Sequence, residues 1–300
     1  MKWKNDNEQI LYDKLMNNDN TPYEALNIKM CKQSMRVPRR VSNLAARAEL
    51  GRLPLRHHII VAQMKYFLRV NFLNQDDLLR HAFISQERQI RNSYNTLTYI
   101  QSSKILTENL GLQHVNHNLL AGPYKVSKCL KKYSCRVKEA SFKCFQSLFS
   151  DKINSWLINY TKLALYASIK RNFKYEKYLD AGCQNIPEFT KFRMSTHWLP
   201  IERGRYTKPK TPRENRLCYY CKSHIGTEFH VLMECDYILL KDLRDEYMFK
   251  ITKIFPMFHN WSSKTIFQYM MLGLDINLTR LFANWISQCN KLNKAKCKTI

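Results

Sequence analysis

Glycine and proline are scarce in this chain, 7 and 9 among 300 residues. So little glycine argues against the tight hairpins of an all-β protein and against glycine-rich phosphate loops. Neither GxGxxG nor GxxxxGK occurs anywhere. Acid is scarce too: 24 Asp and Glu stand against 49 Lys and Arg, a formal net charge of +25. The deficit runs along the whole chain, so the excess of positive charge is not a basic tail. A field of that sign favours polyanions, nucleic acid before an anionic membrane surface. No apolar run approaches about 18 residues, so no transmembrane helix and no membrane partner are expected. The opening MKWKNDNEQILYDKLM lacks the apolar core of a secretory signal. Ten cysteines without such a signal point to a reducing compartment, nucleus or cytoplasm, with thiols buried or on metal.

What the chain does have is helical periodicity. Between Leu55 and Phe72, Ile60, Met64, Phe67 and Leu68 fall on one face, opposite Lys65 and Arg69. DDLLRHAFISQERQIR begins with Asp76 and Asp77 in the manner of a helix start. TLTYIQSSKILTENLG ends on Gly111, a plausible C-cap. Phe142, Phe145, Phe149, Ile153, Trp156 and Tyr160 form a stripe that reads as core packing on a long helix. Leu240, Leu243, Tyr247, Ile251 and Ile254 predict another helix, and two more are expected near 265–272 and 278–291. The expected fold is mainly α: a multi-helix scaffold, a small Cys/Cys/His/Cys module and a C-terminal helical segment. Four segments are expected, at 1–52, 53–200, 201–246 and 247–300. The third opens on the one evident linker, IERGRYTKPKTPRENR at 201–216.

The chemistry concentrates at CYYCKSHIGTEFHVLMEC, whose spacing is C-x2-C-x8-H-x4-C. A C-x2-C turn sets two thiolates one tetrahedral edge apart, and His230 with Cys235 can return the second pair to a zinc ion. Cys218, Cys221, His230 and Cys235 are therefore the candidate ligands. Four protein ligands make a closed, structural site with no position left for catalysis. An x4 spacing on a straight helix turns the two residues about 140° apart, so the segment between His230 and Cys235 should bend or end. His224 is a rival ligand, cramped by its nearness to Cys221. The preceding linker interleaves Arg203, Arg205, Lys208, Lys210, Arg213 and Arg216 with Tyr206, Tyr219 and Tyr220. Cations for phosphates and rings for bases suit single-stranded nucleic acid, either RNA or DNA.

The wording around that site has an order of its own. FRMSTHWLPIERGRY (192–206) precedes RLCYYC (216–221) and TEFHVLMECDYILLKDLRDE (227–246). Earlier stand Ala48-Glu49-Leu50-Gly51-Arg52-Leu53-Pro54-Leu55 and Lys65-Tyr66-Phe67-Leu68-Arg69. This order resembles the region downstream of the polymerase in non-LTR (LINE-type) retrotransposon reverse transcriptases. Members of that family read R-x-S-x-H-x-L-x-I-E-x-G-R-Y, then C-x2-C, then E-x-H-x-L-x-x-C. Arg193, Ser195, His197, Leu199, Ile201, Glu202, Gly204, Arg205 and Tyr206 match the first pattern. Glu228, His230 and Cys235 match the last. The resemblance implies a thumb-like remnant at 1–52, a zinc knuckle at 218–235, and other parts of the retrotransposon machinery as partners.

The polymerase centre itself is not matched. Reverse transcription needs paired aspartates on a strand hairpin and a third nearby to hold two metal ions. The only adjacent pair, Asp76-Asp77, sits in a helical pattern without the aromatic neighbour the family carries, so no catalytic residue and no enzyme activity are expected. The stretch CKQSMRVPRRVSNLAARAELG is also more basic than the resemblance predicts. Three functional readings stay open: a nucleic-acid-binding, zinc-binding fragment, a truncated record of an active RNA-directed DNA polymerase, and a zinc-stapled protein-interaction module. The pairs His57–His58 and His114/His117, the neighbours Ser195 and His197, and Cys289 with Cys297 read as structural.

Overall fold

The computed structural model describes residues 21–74, 76–92, 99–109, 123–159 and 162–297. The expected helix ending at Gly111, the pair His114/His117, and the first 20 residues lie in whole or part outside them. Among the described residues the chain is mainly helical and has no strand. No helix there is long and apolar enough to cross a membrane. The chain divides into two compact units: Leu53–Leu148 with the chain up to Asn27, and Ile28–Arg52 with Phe149–Ile300. Within the second unit one core runs from Ile169 to Cys289.

Early helices are α1 (Pro22–Ser34), α2 (Asn43–Glu49), α3 (Leu55–Asn71), α4 (Leu78–Asn92), α5 (Tyr99–Asn109) and α6 (Pro123–Ile158). In the first unit α3 is central. Ile60, Val61, Met64 and Leu68 meet Leu106 of α5 and Tyr133 and Val137 of α6. Phe67 and Val70, one step round α3, meet Phe83 and Ile100. The start of α3 is tied by Glu24, whose buried carboxylate accepts the Arg56 N–H at 2.9 Å. Asp77 begins α4 by accepting the Leu79 N–H at 2.9 Å, a capping role that accounts for one of the two adjacent aspartates. Buried His57 shares a 2.7 Å hydrogen bond with the hydroxyl of buried Ser141 on α6. Of the aromatic stripe on α6, Phe145, Phe149, Ile153 and Trp156 are buried, as core packing requires.

The later helices are α7 (Ala164–Ile169), α8 (Ile186–Arg193), α9 (Pro200–Arg203), α10 (Ile238–Ile254), α11 (Ser263–Leu272) and α12 (Ile276–Cys297). In the second unit α12 packs against α8 and α10. Trp285 is fully buried at that junction, its ring stacked on Tyr247 at 5.9 Å. The same unit buries a set of charges. Arg193, 1 % exposed, reaches the carboxylate of Glu49 at 3.3 Å and that of Glu176 at 3.6 Å. It also donates to the Met271 carbonyl, while Tyr178 donates to Glu49 and Lys170 pairs with Glu176. Buried charge survives only when paired and hydrogen-bonded, and this cluster meets that demand. Glu49 belongs to AELGR and Arg193 to FRMST, so two of the sequence blocks meet through a salt bridge. Gly51, next to Glu49, has φ +56°, and a Cβ there would lie 2.4 Å from the Tyr175 nitrogen. Glycine is required by both the backbone angle and the close approach.

Candidate metal centre and basic cleft

The C-x2-C segment is shaped by backbone bonds on both sides. Cys218 N–H donates to the His224 carbonyl at 2.7 Å, and Gly226 N–H to the Arg216 carbonyl at 2.8 Å. Leu217 and Ile225 form an isolated antiparallel bridge between those bonds. The loop turns at Lys222, which takes φ +59°. Gly226 lets the loop settle on α9: a Cβ there would lie 2.7 Å from Pro200 Cγ and 3.1 Å from Cys218 Cα. Downstream, His230–Glu234 forms a single π-helical turn, and Cys235 leaves it with φ −61° and ψ 125°. The Cys235 N–H returns to the His230 carbonyl at 2.8 Å. That widened turn overcomes the angular mismatch of an x4 spacing, bringing imidazole and thiol to the same side.

The four expected ligand residues come together. The candidate donor atoms of Cys218, Cys221, His230 and Cys235 all lie within 4.8 Å of one another. Cys218 Sγ is 3.8 Å from Cys235 Sγ, and Cys221 Sγ is 3.3 Å from His230 Nε2. Metal–sulfur bonds of about 2.3 Å at the tetrahedral angle separate two sulfurs by about 3.8 Å, so the sulfur pair has the spacing of a tetrahedral edge. A disulfide needs about 2.05 Å and is excluded at that distance. His230 turns Nε2 inward and leaves Nδ1 3.7 Å from the Glu234 carboxylate, on the side where an orienting partner belongs. Arg244 donates to the Cys235 carbonyl at 3.1 Å and holds the exit of the turn. The residues thus form a Cys3His group able to hold a metal ion.

Burial pushes the Cys218 thiol up and the Cys235 thiol to about 12. Burial also works against ionisation of Cys221. Hydrogen bonds from the Ser223 hydroxyl, from the Ser223 and His224 backbone and from His230 outweigh it, and its pKa comes down to about 5. A cation bound here takes the place of the protons on the two inner thiols. His224, the rival ligand, is exposed. Its ring stacks on His230 at 5.2 Å and its Nδ1 meets Ser223 Oγ at 3.0 Å, outside the ligand set.

Beside this loop lies a cleft of about 710 Å³, with Arg40, Arg203, Arg216, Lys222, Tyr206 and Tyr219 on its walls. Thr207, Thr211 and Asn215 add hydroxyl and amide groups. Among the described residues that line it there is no carboxylate. Tyr206 is half exposed and fixed by its hydroxyl, which receives from Lys162 at 2.8 Å and donates to Glu202 at 3.0 Å. Arg40 lies over the same ring at 5.3 Å and donates to the Thr196 carbonyl, 156 residues away in sequence.

The expected nucleic-acid residues separate into two kinds. Arg203, Lys208, Lys210 and Arg213 are exposed, although only Arg203 of these lines the cleft. Arg205 instead lies 3.2 Å from the buried Glu202 carboxylate. Arg216 holds the wall of the cleft, donating to the carbonyls of Thr211 and Ile201 at 2.9 and 3.0 Å. Tyr220 is buried at 7 % exposure against Tyr237, so its ring belongs to the core, whereas its neighbour Tyr219 lines the cleft. Arg40 and Lys222 were not among the expected residues. The only signals for them were the unusually basic RVPRR stretch and a lysine next to a ligand cysteine.

The neighbours Ser195 and His197 acquire an acid that spacing did not reveal. His197 Nδ1 accepts the Leu199 N–H at 3.3 Å, so Nε2 carries the hydrogen and donates to Glu228 at 2.7 Å. Burial opposes ionisation of Glu228, yet the His197 interaction outweighs it and lowers the pKa. This pair joins FRMSTHW to TEFH as a structural latch. Cys289 is a buried core thiol, pushed up by burial to about 12. No protein-family model, curated protein or solved structure matches this chain.

Proposed function

We propose that this chain binds nucleic acid through a zinc-stapled basic module, and that it represents the C-terminal region of a non-LTR retrotransposon reverse transcriptase. The observation that carries the reading is the cation-walled, carboxylate-free cleft built against the Cys3His loop. Three thiols and one imidazole whose donor atoms lie within 4.8 Å of one another suit zinc, which in a closed site folds the loop rather than performing chemistry. Contacts between the blocks that carry the resemblance also support it. Glu49 meets Arg193 and His197 meets Glu228, while inside the 192–206 block Glu202 meets both Arg205 and Tyr206. Those residues thereby act as fasteners of one folded region, a role that needs no polymerase centre in the same segment. Its setting is the nucleus or cytoplasm, with RNA or DNA and other retrotransposon components as partners.

A salt titration of binding to RNA and DNA oligonucleotides tests the reading. Binding dominated by phosphate contacts weakens steeply and linearly in log–log form, with a slope set by the phosphates neutralised. Absence of binding to either polymer at low salt rejects it. One observation favours a protein partner as the second reading: Ile238, Phe249 and Met257, shortly after the metal loop, are 62, 70 and 56 % exposed. Replacing Arg203 and Lys222, which line the cleft, by Glu separates the two, because it strikes nucleic-acid binding and spares an apolar contact.

A further inference from the structure

From the architecture of the cleft we infer that it is a binding site for single-stranded nucleic acid whose assembly depends on the metal loop. The inference rests on the nucleic-acid reading above and adds the site and its control by the metal loop. One wall is made by the loop itself. Leu217, Tyr219 and Lys222 lie immediately beside or between the ligands Cys218 and Cys221. The opposite wall comes from α9 and the turn after it, with Arg203, Tyr206 and Thr207, and Arg40 arrives from a distant part of the chain.

The two walls differ in what holds them. The α9 wall is tied by side chains: Arg216 to the Ile201 and Thr211 carbonyls, and Tyr206 to Lys162 and Glu202. The loop wall has the backbone bonds of Cys218 and Gly226, but Lys222, Ser223 and His224 at its tip are exposed. Its inward-facing groups are the thiols of Cys218 and Cys221, packed against His230 and Cys235. A cation at that point crosslinks the loop to the π turn, and without it thiols and imidazole supply only weak contacts to hold Tyr219 and Lys222 at the cleft. Metal binding by such small loops is folding free energy, so occupancy and wall formation go together.

The lining selects a strand form. Arg40, Arg203 and Lys222 offer charge to phosphates, and Thr207, Thr211 and Asn215 offer hydrogen bonds to sugar and phosphate oxygens. Tyr219 offers ring surface within the same cleft, and Tyr206, 51 % exposed, already carries Arg40 and Lys162 over its ring at 5.3 and 5.5 Å. A duplex keeps its base faces stacked and has none to give to a ring, whereas a single strand does.

The test uses the full chain and fluorescence anisotropy of an end-labelled mixed-sequence single strand and its duplex, at one fixed salt concentration. Zinc-loaded protein binds the single strand about tenfold or more tightly than the duplex. Removing zinc with a chelator, verified by metal analysis, weakens single-strand binding about tenfold or more, and zinc re-addition restores it while far-UV helicity stays unchanged. Lys222→Glu, at an exposed position and still zinc-bound, also loses about tenfold, which tests the loop wall without removing metal. Unchanged affinity in verified metal-free protein or in Lys222→Glu overturns metal control of the loop wall. Equal affinity for duplex overturns the single-strand assignment. Failure of the zinc-loaded chain to bind either form overturns the nucleic-acid reading itself.

Discussion

The second unit holds two concentrations of positive charge that behave in opposite ways. Arg193 and Lys170 are both 1 % exposed and face Glu49 and Glu176, while Arg203 and Lys222 face a cleft with no carboxylate on its walls. In the first place every cation is consumed by the fold. In the second no carboxylate on the walls neutralises them. A basic composition therefore says little about function until burial and partners divide the cations into these two kinds.

Breaking the buried cluster has the largest expected effect. Arg193→Met removes the guanidinium from Glu49, which is fully buried, and leaves an uncompensated charge. The expected loss is about 3–5 kcal/mol, read from the urea midpoint of the second unit. Adding Glu49→Leu to that variant recovers part of it, because the stranded carboxylate is gone. A loss under about 1 kcal/mol in the single variant means that the cluster is not the fastener described. Gly51→Ala strikes the same cluster through the backbone, with φ +56° and a Cβ 2.4 Å from the Tyr175 nitrogen. About 2–3 kcal/mol is expected, and a near-neutral result rules out the close approach.

A buried group in the first unit sharpens the contrast by being kept neutral. Burial first, and then the charges of His58 and Lys138, lower the His57 pKa from 6.5 to about 4. Above pH 6.5 the imidazole is neutral in both folded and unfolded chains. Between pH 6.5 and about 4 the unfolded chain takes the proton and the folded one does not. Stability therefore falls as pH falls through that window, by about 2 kcal/mol once residual solvent screening is allowed for. Hydrogen exchange in α3 reads this locally, and His57→Gln should remove most of the pH dependence. An unaltered dependence in that variant assigns the effect to other groups.

The parts of this architecture legible in the sequence were those governed by short-range periodicity or spacing. Ile60, Met64, Phe67 and Leu68 repeat at helical intervals, and α3 follows from them. The four ligands lie within 18 residues, and the demand for a break after His230 follows from helix geometry alone; a π turn meets it. What stayed hidden depends on distant pairing. Nothing near Arg193 marks its partner Glu49, 144 residues earlier. Likewise Tyr219 and Tyr220 are adjacent in an irregular loop, where no period states which ring turns inward. Tertiary packing alone decides that Tyr220 is core and Tyr219 cleft.

The smallest effect on stability is expected where the effect on binding is greatest. Arg203 is exposed and lines the cleft, so Arg203→Glu should change unfolding free energy by no more than about 0.5 kcal/mol. Binding of a single-stranded oligonucleotide should nevertheless fall by about tenfold, since one attractive phosphate contact becomes repulsive. The slope of log affinity against log salt should become shallower by about one counterion. Arg205→Gln provides the opposite outcome. Its guanidinium lies beside buried Glu202, so it should cost stability before it costs binding. If Arg203→Glu instead destabilises the fold as much as Arg193→Met, the cleft cations are structural, and the division between consumed and available charge fails.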